Sequence, residues 1–444
     1  MTTSELTPLL VPRAGVPEVI TTQSAFEQMI QALLNGVGPI AIDAERASGY
    51  KYSQRAYLIQ LYRANGGLHL IDPIAIENKS LWQRFNDNFA NLEWVIHAST
   101  QDLPCLLELG LNPQSLFDTE LGARIAGSPR VGLGALAESL LEFQLAKEHS
   151  AVDWSTRPLK PEWLTYAALD VDVLLDIREK VEKILIEKKK LDWAKQDFAA
   201  ILLSFKSKQN DQPKIDRWRK TSGMHKVRDR LTMTIIKDLW LDRDQLAQEL
   251  DIAPGRILND EAIIEIATRK PNTIEAITKA ISWRSKMQSP PYARWLAKLN
   301  QSLATPIEKQ VELRVQSNNL PPMKVWKERN PLGYARLSHA RTNIAALALE
   351  LDLPVENLVT PELVRKLCWE LPKSEQSSYE IYVAEQLKQL GARDWQINQV
   401  TPLIAKALPQ TEPVVIEAEL AQADQDESSN AEVQQAENQP EDEQ

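Results

Sequence analysis

The chain has 444 residues and the composition of an ordinary soluble protein, with 43% hydrophobic residues, 25% charged residues and a formal net charge of −10. Its length predicts two or three domains, each with enough apolar residues for a core. No apolar run approaches the ~20 residues of a membrane span, and the two cysteines, Cys105 and Cys368, are too few and too separated for a disulfide framework or a zinc site.

The N-terminal residues lack the basic segment and the following apolar segment of a secretory signal peptide. The scarcity of cysteine suits a reducing compartment, so we expect a cytoplasmic protein that does not associate with a membrane. Residues 1–20 show no clear periodicity and are predicted to form a flexible leader.

Strand and helix patterns alternate from residue 21 to about residue 205. A helix is predicted over 24–35, followed by a strand at PIAID. The segments AYLIQLYR and GLHLID alternate with a period near two and are separated by three residues, which predicts a β-hairpin. Further strands are predicted at LEWVIHAS and SLFD, further helices at SLWQRFNDNF and after residue 101, and one long amphipathic helix over 161–190. This interleaving predicts an α/β domain at residues 21–205.

Only helical patterns follow a largely polar connector at residues 201–215. The segments LDIAPGRILNDEAIIEIA and LDLPVENLVTPELVRKLC resemble each other in their Leu-Asp-aliphatic start, their nearby proline and their final aliphatic helix. We interpret this similarity as one helical module present twice, at residues 211–292 and 325–410.

The acidic residues are concentrated at the C-terminus. Residues 411–444 contain 11 acidic and no basic residues, so residues 1–410 carry a net charge near +1. The segment also lacks aromatic residues, which predicts a disordered acidic tail. The near-neutral body can therefore present a basic face to a nucleic acid.

Two carboxylates stand at the end of the first buried strand. Successive side chains of a strand alternate between its faces, so Asp43 and Glu45 point the same way if the strand continues. Their repulsion is relieved if a hard divalent cation with oxygen ligands lies between them. The alternative is that both acids are solvated in a loop.

Three further residues favour the cation. Asp102 follows a predicted strand and opens a helix, where it could also serve only to complement the helix dipole. Tyr166 and Asp170 are four residues apart, so they are neighbours on one helix face, although a tyrosine there could simply belong to the core. Asp172 and Asp176 lie on other faces and are predicted to be solvated.

The ordered set of Asp43-x-Glu45, His97-x4-Asp102 and Tyr166-x3-Asp170 resembles the three exonuclease motifs of the DEDD superfamily, in its tyrosine-containing branch. The phrases DAERASGYKYSQRAYLIQL, HASTQDLPCL and DWSTRPLKPEWLTYAALDV are similar to ribonuclease D. The module at 211–292 resembles the helicase-and-RNase-D C-terminal (HRDC) domain, and 325–410 resembles a diverged second copy.

This resemblance implies a ribonuclease H-like α/β exonuclease domain followed by two all-α domains. It implies a 3′-to-5′ exoribonuclease that uses two Mg²⁺ or Mn²⁺ ions and releases nucleoside 5′-monophosphates. By position, Asp43 is implied to bridge both ions, and Glu45 and Asp170 to hold the ion that activates water. Asp102 is implied to hold the other ion, partly through water, near the leaving 3′ oxygen, and Tyr166 to orient the attacking water or hydroxide.

The resemblance also implies an RNA partner with a free 3′ end, such as a transfer-RNA precursor, and no obligate protein partner is evident. A basic segment at residues 214–230 could neutralise phosphates while its tryptophan stacks on a base. The alternative is a solvated helical surface with that tryptophan in a core. His97 is also a candidate contact with the nucleic acid, although it could instead serve only a structural hydrogen bond. The other candidate nucleic-acid contacts are Arg217, Trp218, Arg219, Lys220, Lys226 and Arg228.

Two other functions remain open at this point. A related DNA exonuclease would carry the same motifs, because no residue of this sequence visibly tests for a 2′-hydroxyl. A non-catalytic RNA-binding scaffold is the second alternative, although a scaffold has no need to keep all five motif residues together.

Overall fold

The computed structural model describes residues 6–146, 151–208, 216–281, 283, 285–287, 289–313, 320–371 and 378–414. Within these ranges no helix is both long enough and apolar enough to cross a membrane. The described chain divides into an N-terminal α/β part and a C-terminal part made of helices.

The N-terminal part is built on strands, which in chain order are β1 (Thr7–Leu9), β2 (Val19–Ile20), β3 (Val37–Arg46), β4 (Ala56–Ala64), β5 (Gly67–Ile71), β6 (Glu93–Ile96), β7 (Ser115–Asp118) and β8 (Phe143–Leu145). The order in the main sheet is β2-β5-β4-β3-β6-β7. β4 runs antiparallel to β3 and β5, whereas the other neighbouring strands are parallel. β3 therefore lies inside the sheet, and Ile40, Ala41 and Ile42 are fully buried there.

Helices cover this sheet and complete the domain. They are α1 (Gln23–Leu34), α2 (Lys79–Phe89), α3 (Leu103–Glu108), α4 (Thr119–Ile125), α5 (Leu133–Leu141), α6 (Pro161–Asp172), α7 (Leu174–Glu187) and α8 (Leu191–Lys208). In α1, Phe26, Met29, Ile30 and Leu33 are buried at the spacing of one helix face. The α/β domain predicted from the sequence is confirmed, as are the β4–β5 hairpin and the first helix.

The first helical region comprises α9 (Arg230–Leu250), α10 (Pro254–Ile257), α11 (Asp260–Arg269), α12 (Ile274–Ala280) and α13 (Tyr292–Leu303). The second comprises α14 (Trp326–Arg329), α15 (Pro331–Glu350), α16 (Val355–Leu358), α17 (Pro361–Trp369), α18 (Tyr379–Gln389) and α19 (Asp394–Ala407). The first region has a core of its own, whereas the core of the second is continuous with that of the α/β part. All-helical regions after the α/β domain are thus confirmed.

The two helical regions share a three-helix pattern and a turn that contacts the α/β part. In each, a long helix, a four-residue helix and a helix of nine or ten residues follow one another. The turn after the long helix contains a left-handed aspartate, Asp251 or Asp352, each with φ of 48°. Asp251 accepts a hydrogen bond from the backbone N–H of Ser53, and Asp352 accepts one from Lys188. These parallels support a repeated module, and the domain boundaries stay predictions.

The flexible leader predicted for residues 1–20 is wrong for much of its length. Residues 7–9 form β1, which pairs with β8, and residues 19–20 form β2 at the edge of the main sheet. Arg13 is also anchored, because its side chain forms ion pairs with Asp172 and Asp176. Asp172 is consequently buried rather than solvated. These partners lie far away along the chain, so no local pattern revealed them.

Three other predicted segments differ from the structure. The single helix predicted over 161–190 is two helices, because α6 packs on β3, β4 and β5 while α7 packs on α4 and α5. The connector predicted at 201–215 is helical through Lys208, and 209–215 lie outside the described residues. Most of the predicted acidic tail, residues 415–444, also lies outside them.

Candidate active site

β3 carries the first two carboxylates. Its pairing places Asp43 opposite Gln60 and Glu45 opposite Leu58 on β4, so both acids lie on one face of the sheet. The register then shifts between Glu45 and Arg46, as at a β-bulge. Bulges next to functional sites re-aim a side chain, and here the guanidinium of Arg46 lies near the carboxylates.

α6 carries Tyr166 and Asp170 one turn apart. The helix begins at Pro161, whose fixed φ suits a first helical position, and it packs on β3, β4 and β5. Trp163 on its first turn lies against Trp154, with ring centroids 5.7 Å apart. The helix is thereby fixed over the strand that carries the first two acids, which brings Asp170 to them.

Asp102 approaches from the next strand of the sheet. It stands between β6 and α3, and its backbone N–H donates to the carbonyl of Ser99. Ser99 is held in turn, because its backbone N–H and its hydroxyl both donate to Asp118 Oδ2, at 2.8 and 2.6 Å. Asp118 ends β7, so two adjacent strands fix the loop that presents Asp102.

The structure brings the four predicted acids together. One carboxylate oxygen from each of Asp43, Glu45 and Asp170 lies within 4.8 Å of the others. Asp102 joins this group through a side-chain hydrogen bond with Asp43. Its Oδ1 atom is 3.8 Å from Arg46 Nη2.

Burial and mutual repulsion dominate the electrostatics of the cluster. Burial raises the pKa of Glu45 well above its ordinary value, and the charges of Asp43, Asp170 and Asp102 raise it further. The pKa of Asp102 is raised well above its ordinary value by burial and by the charge of Asp43. A cation at the cluster would lower these pKa values by stabilising the ionised carboxylates.

The tyrosine of the site is a protonated phenol. Burial raises the pKa of Tyr166, and the neighbouring charges of Asp170, Glu45 and Asp43 raise it further. Its hydroxyl forms a side-chain hydrogen bond with Asp170. The hydroxyl oxygen can still accept a hydrogen bond, so Tyr166 can orient a water beside the carboxylates.

The donor set fits a hard divalent cation. All four charged groups are carboxylates, which is the oxygen chemistry that Mg²⁺ and Mn²⁺ prefer. Buried carboxylates repel one another, so a cation placed among them stabilises their ionised forms. The free thiol nearest in sequence, Cys105, is buried, and its Sγ atom lies 3.0 Å from the carbonyl of Asp102 rather than facing the carboxylates.

These residues line a cavity of about 1170 Å³. Its wall also contains Arg46, Tyr50, Arg130 and Arg256, which the sequence analysis did not select. Arg46 could have been suspected because it follows the Asp-x-Glu motif directly. Arg256 is more than 200 residues away from that motif, and no sequence signal connects the two.

The structure divides the candidate nucleic-acid contacts. The prediction that Trp218 stacks on a base is wrong, because it is 1% exposed in the core of the first helical region. The guanidinium of Arg219 packs on that ring, with its carbon 4.3 Å from the ring centre. The exposed basic side chains that remain available to a phosphate are Arg217, Lys220, Lys226 and Arg228.

His97 lies at the cavity wall, but its ring is engaged. Its Nδ1 atom is 2.9 Å from the hydroxyl of Thr119, and burial lowers its pKa. This contact favours the structural hydrogen-bonding role for His97 over direct contact with RNA.

Family models match three parts of the chain. Residues 17–186 match a 3′–5′ exonuclease, residues 233–287 match an HRDC domain, and residues 319–408 match a 3′-to-5′ exonuclease C-terminal domain. The last description differs from the second HRDC copy predicted for that region. A module of common origin at the two places therefore stays a prediction.

Known proteins resemble the chain over much of its length. The curated ribonuclease D of Bartonella henselae is 29% identical over 258 residues, an alignment that covers 57% of this chain and 61% of that relative. The chain thus spans less than two thirds of that relative's length.

Solved structures extend the similarity. A protein from Bifidobacterium adolescentis is 34% identical with a TM-score of 0.81, and the match covers 91% of this chain and 100% of that one. The RNase D structure from Escherichia coli is 20% identical with a TM-score of 0.61, covering 88% and 98% of the two chains, and shows the same fold.

Proposed function

The chain belongs to the ribonuclease D family, and on that premise we propose that it is a metal-dependent 3′-to-5′ exoribonuclease. The observation that carries the proposal is the convergence of Asp43, Glu45, Asp102 and Asp170 beside one protonated phenol in a single cavity. Clustered carboxylates next to a phenol hydroxyl suit the hydrolysis of a phosphodiester.

A 3′–5′ exonuclease domain uses divalent metal, and we propose that this chain uses two ions, Mg²⁺ or Mn²⁺. When bound, such ions stabilise the negative charge that develops on the attacking and leaving oxygens. The carboxylates of Asp43, Glu45, Asp102 and Asp170 would hold these ions.

The protein's own groups would then orient the reaction. Tyr166 would accept a hydrogen bond from the attacking water at its hydroxyl oxygen, and so orient that water toward the phosphorus. The water oxygen would bond to phosphorus and lose a proton to solvent, while the bond to the 3′ oxygen breaks and that oxygen takes up a proton from solvent to become a hydroxyl. The products are a nucleoside 5′-monophosphate and an RNA shorter by one nucleotide, with a free 3′-hydroxyl.

RNA with a free 3′ end is the proposed substrate, and transfer-RNA precursors are the proposed natural class. Exposed cations just before the HRDC match, including Arg217, Lys220 and Lys226, support the binding of a folded RNA. We propose the cytoplasm as the location, in keeping with two buried free cysteines.

Matched oligonucleotides test this function. We expect a 5′-labelled RNA with a free 3′-hydroxyl to shorten one nucleotide at a time with Mg²⁺, and to remain intact when a chelator is present. Faster degradation of the matched DNA would support the DNA exonuclease instead. If the RNA stays intact under all metal conditions, the result would support a non-catalytic RNA-binding scaffold.

Replacing Tyr166 with phenylalanine isolates the role of its hydroxyl. The ring remains packed against the core of the α/β part, so we expect the fold to be unchanged while kcat falls about 10²-fold, a typical contribution of a positioned hydrogen-bonding group. Single-turnover hydrolysis of the RNA would measure the loss. If Tyr166→Phe cleaves as fast as the unaltered protein, the phenol has no part in orienting water.

A further inference from the structure

The HRDC region contributes a side chain to the catalytic cavity. Its α10 helix lies against the loop that follows β3, where the backbone N–H of Ala253 donates to the carbonyl of Tyr50. Arg256 on this helix is part of the cavity wall together with Tyr50 and the four acids. The cavity is therefore formed by two parts of the chain that are separate in sequence.

Arg256 is held in a fixed position at this wall. Its Nε atom donates to the carbonyl of Gly49 at 2.7 Å, and its guanidinium carbon lies 3.9 Å from the centre of the Tyr50 ring. The Tyr50 hydroxyl donates to the carbonyl of Ala151, which steadies the ring. A guanidinium carries five N–H donors, so anchoring through Nε leaves those on the two terminal nitrogens for another acceptor.

Neighbouring arginines are already paired with acids. Arg55 in the same interdomain contact is 3.8 Å from Asp251, and Arg130 at the cavity wall is 3.2 Å from Glu138. Arg46 lies 3.8 Å from Asp102. Within the described ranges Arg256 forms no ion pair. Its positive charge at the cavity wall is therefore not paired with an acid of those ranges.

We propose that Arg256 binds a backbone phosphate of the RNA upstream of the scissile bond, and so positions the 3′ end at the carboxylates. A planar guanidinium matches the geometry of a phosphate, and the Tyr50 ring presents it already ordered. The inference rests on the proposed function and makes the HRDC region part of the substrate site. Arg256 is thus a positioning residue, since the reacting atoms lie at the acids.

Binding can be measured without cleavage. In the Asp43→Asn background, we expect Arg256→Ala to weaken binding of a ten-nucleotide RNA about tenfold, the range of a lost charge-assisted hydrogen bond. The slope of log affinity against log salt should fall by about 0.7, the value for one phosphate contact on a single strand. Arg256→Lys should recover part of the affinity because it keeps the charge.

Cleavage kinetics separate positioning from domain docking. With the ten-nucleotide RNA, Arg256→Ala should raise KM about tenfold with little change in kcat. A nitrophenyl diester of one nucleoside 5′-phosphate has no phosphate upstream of the scissile bond, so its hydrolysis should not change. Arg55→Ala is the matched control. It removes a cation from the same contact between the two parts of the chain, but Arg55 does not line the cavity.

Two results would overturn the inference. Unchanged affinity and salt slope in Arg256→Ala would show that no phosphate contact exists, and an equal loss in Arg55→Ala would assign the effect to docking alone. A protein that cleaves no RNA, but whose binding still depends on Arg256, would refute the proposed function while leaving this contact supported.

Discussion

Replacing Asp43 with asparagine is expected to reduce RNA hydrolysis by at least about 10³-fold, because several kcal/mol of metal-dependent stabilisation of the transition state depends on its charge. Asp43 is adjacent to all three other acids, through the shared oxygen cluster and the hydrogen bond with Asp102. Single-turnover hydrolysis with Mg²⁺ measures the effect.

Stability gives an independent measurement on the same variant. Asparagine removes one charge from a repelling cluster, so without metal the unfolding temperature of Asp43→Asn should equal or exceed that of the unaltered protein. Added Mg²⁺ should stabilise the unaltered protein and have a smaller effect on the variant, since ligand binding to the folded state raises stability.

An exposed acid provides the control for both measurements. Asp87 lies on the surface of α2 and is absent from the cavity wall, so Asp87→Asn should leave hydrolysis and the Mg²⁺ response unchanged. If Asp43→Asn cleaves RNA as fast as Asp87→Asn does, the assignment of the catalytic cluster is wrong.

The second large effect is expected at the contact between α8 and α19. Asp197 on α8 is 3% exposed and accepts hydrogen bonds from Arg393 Nε at 2.5 Å and from Trp395 Nε1 at 2.9 Å. Trp395 also stacks on Trp193, with ring centroids 4.8 Å apart and planes within 9°. This cluster joins the second helical region to the α/β domain.

Replacing Asp197 with alanine leaves the guanidinium and the indole N–H without their acceptor. We expect a loss of about 2 kcal/mol in the free energy of unfolding of the second helical region, because the buried indole N–H loses its acceptor while water can reach the guanidinium of Arg393. Urea unfolding followed by the fluorescence of the stacked tryptophans should show the transition at lower urea. Lys195→Ala, on an exposed position of the same helix, should leave it unchanged. An unaltered midpoint in Asp197→Ala would mean that this contact does not hold the region.

Local rules of chain geometry made much of the candidate site's geometry predictable. The two-residue period of a strand puts Asp43 and Glu45 on one face, and the helical period puts Tyr166 and Asp170 one turn apart. Both placements depend only on residues close in sequence. The order of the motifs and their resemblance to one family indicated that Asp102 belongs with these residues. The geometry of a single strand or helix could not show this, because Asp102 stands on a different element.

The sequence by itself therefore determined the fold class, the helical regions and the grouping of the candidate carboxylates. The tertiary structure alone decided that residues 7–9 and 19–20 are strands, that Trp218 is a core residue, and that Arg256 stands at the catalytic cavity. Each of these outcomes depends on partners far away along the chain. Which distant segments meet follows from the packing of the whole molecule, because a strand edge or a buried ring is stabilised by neighbours that its own sequence does not specify.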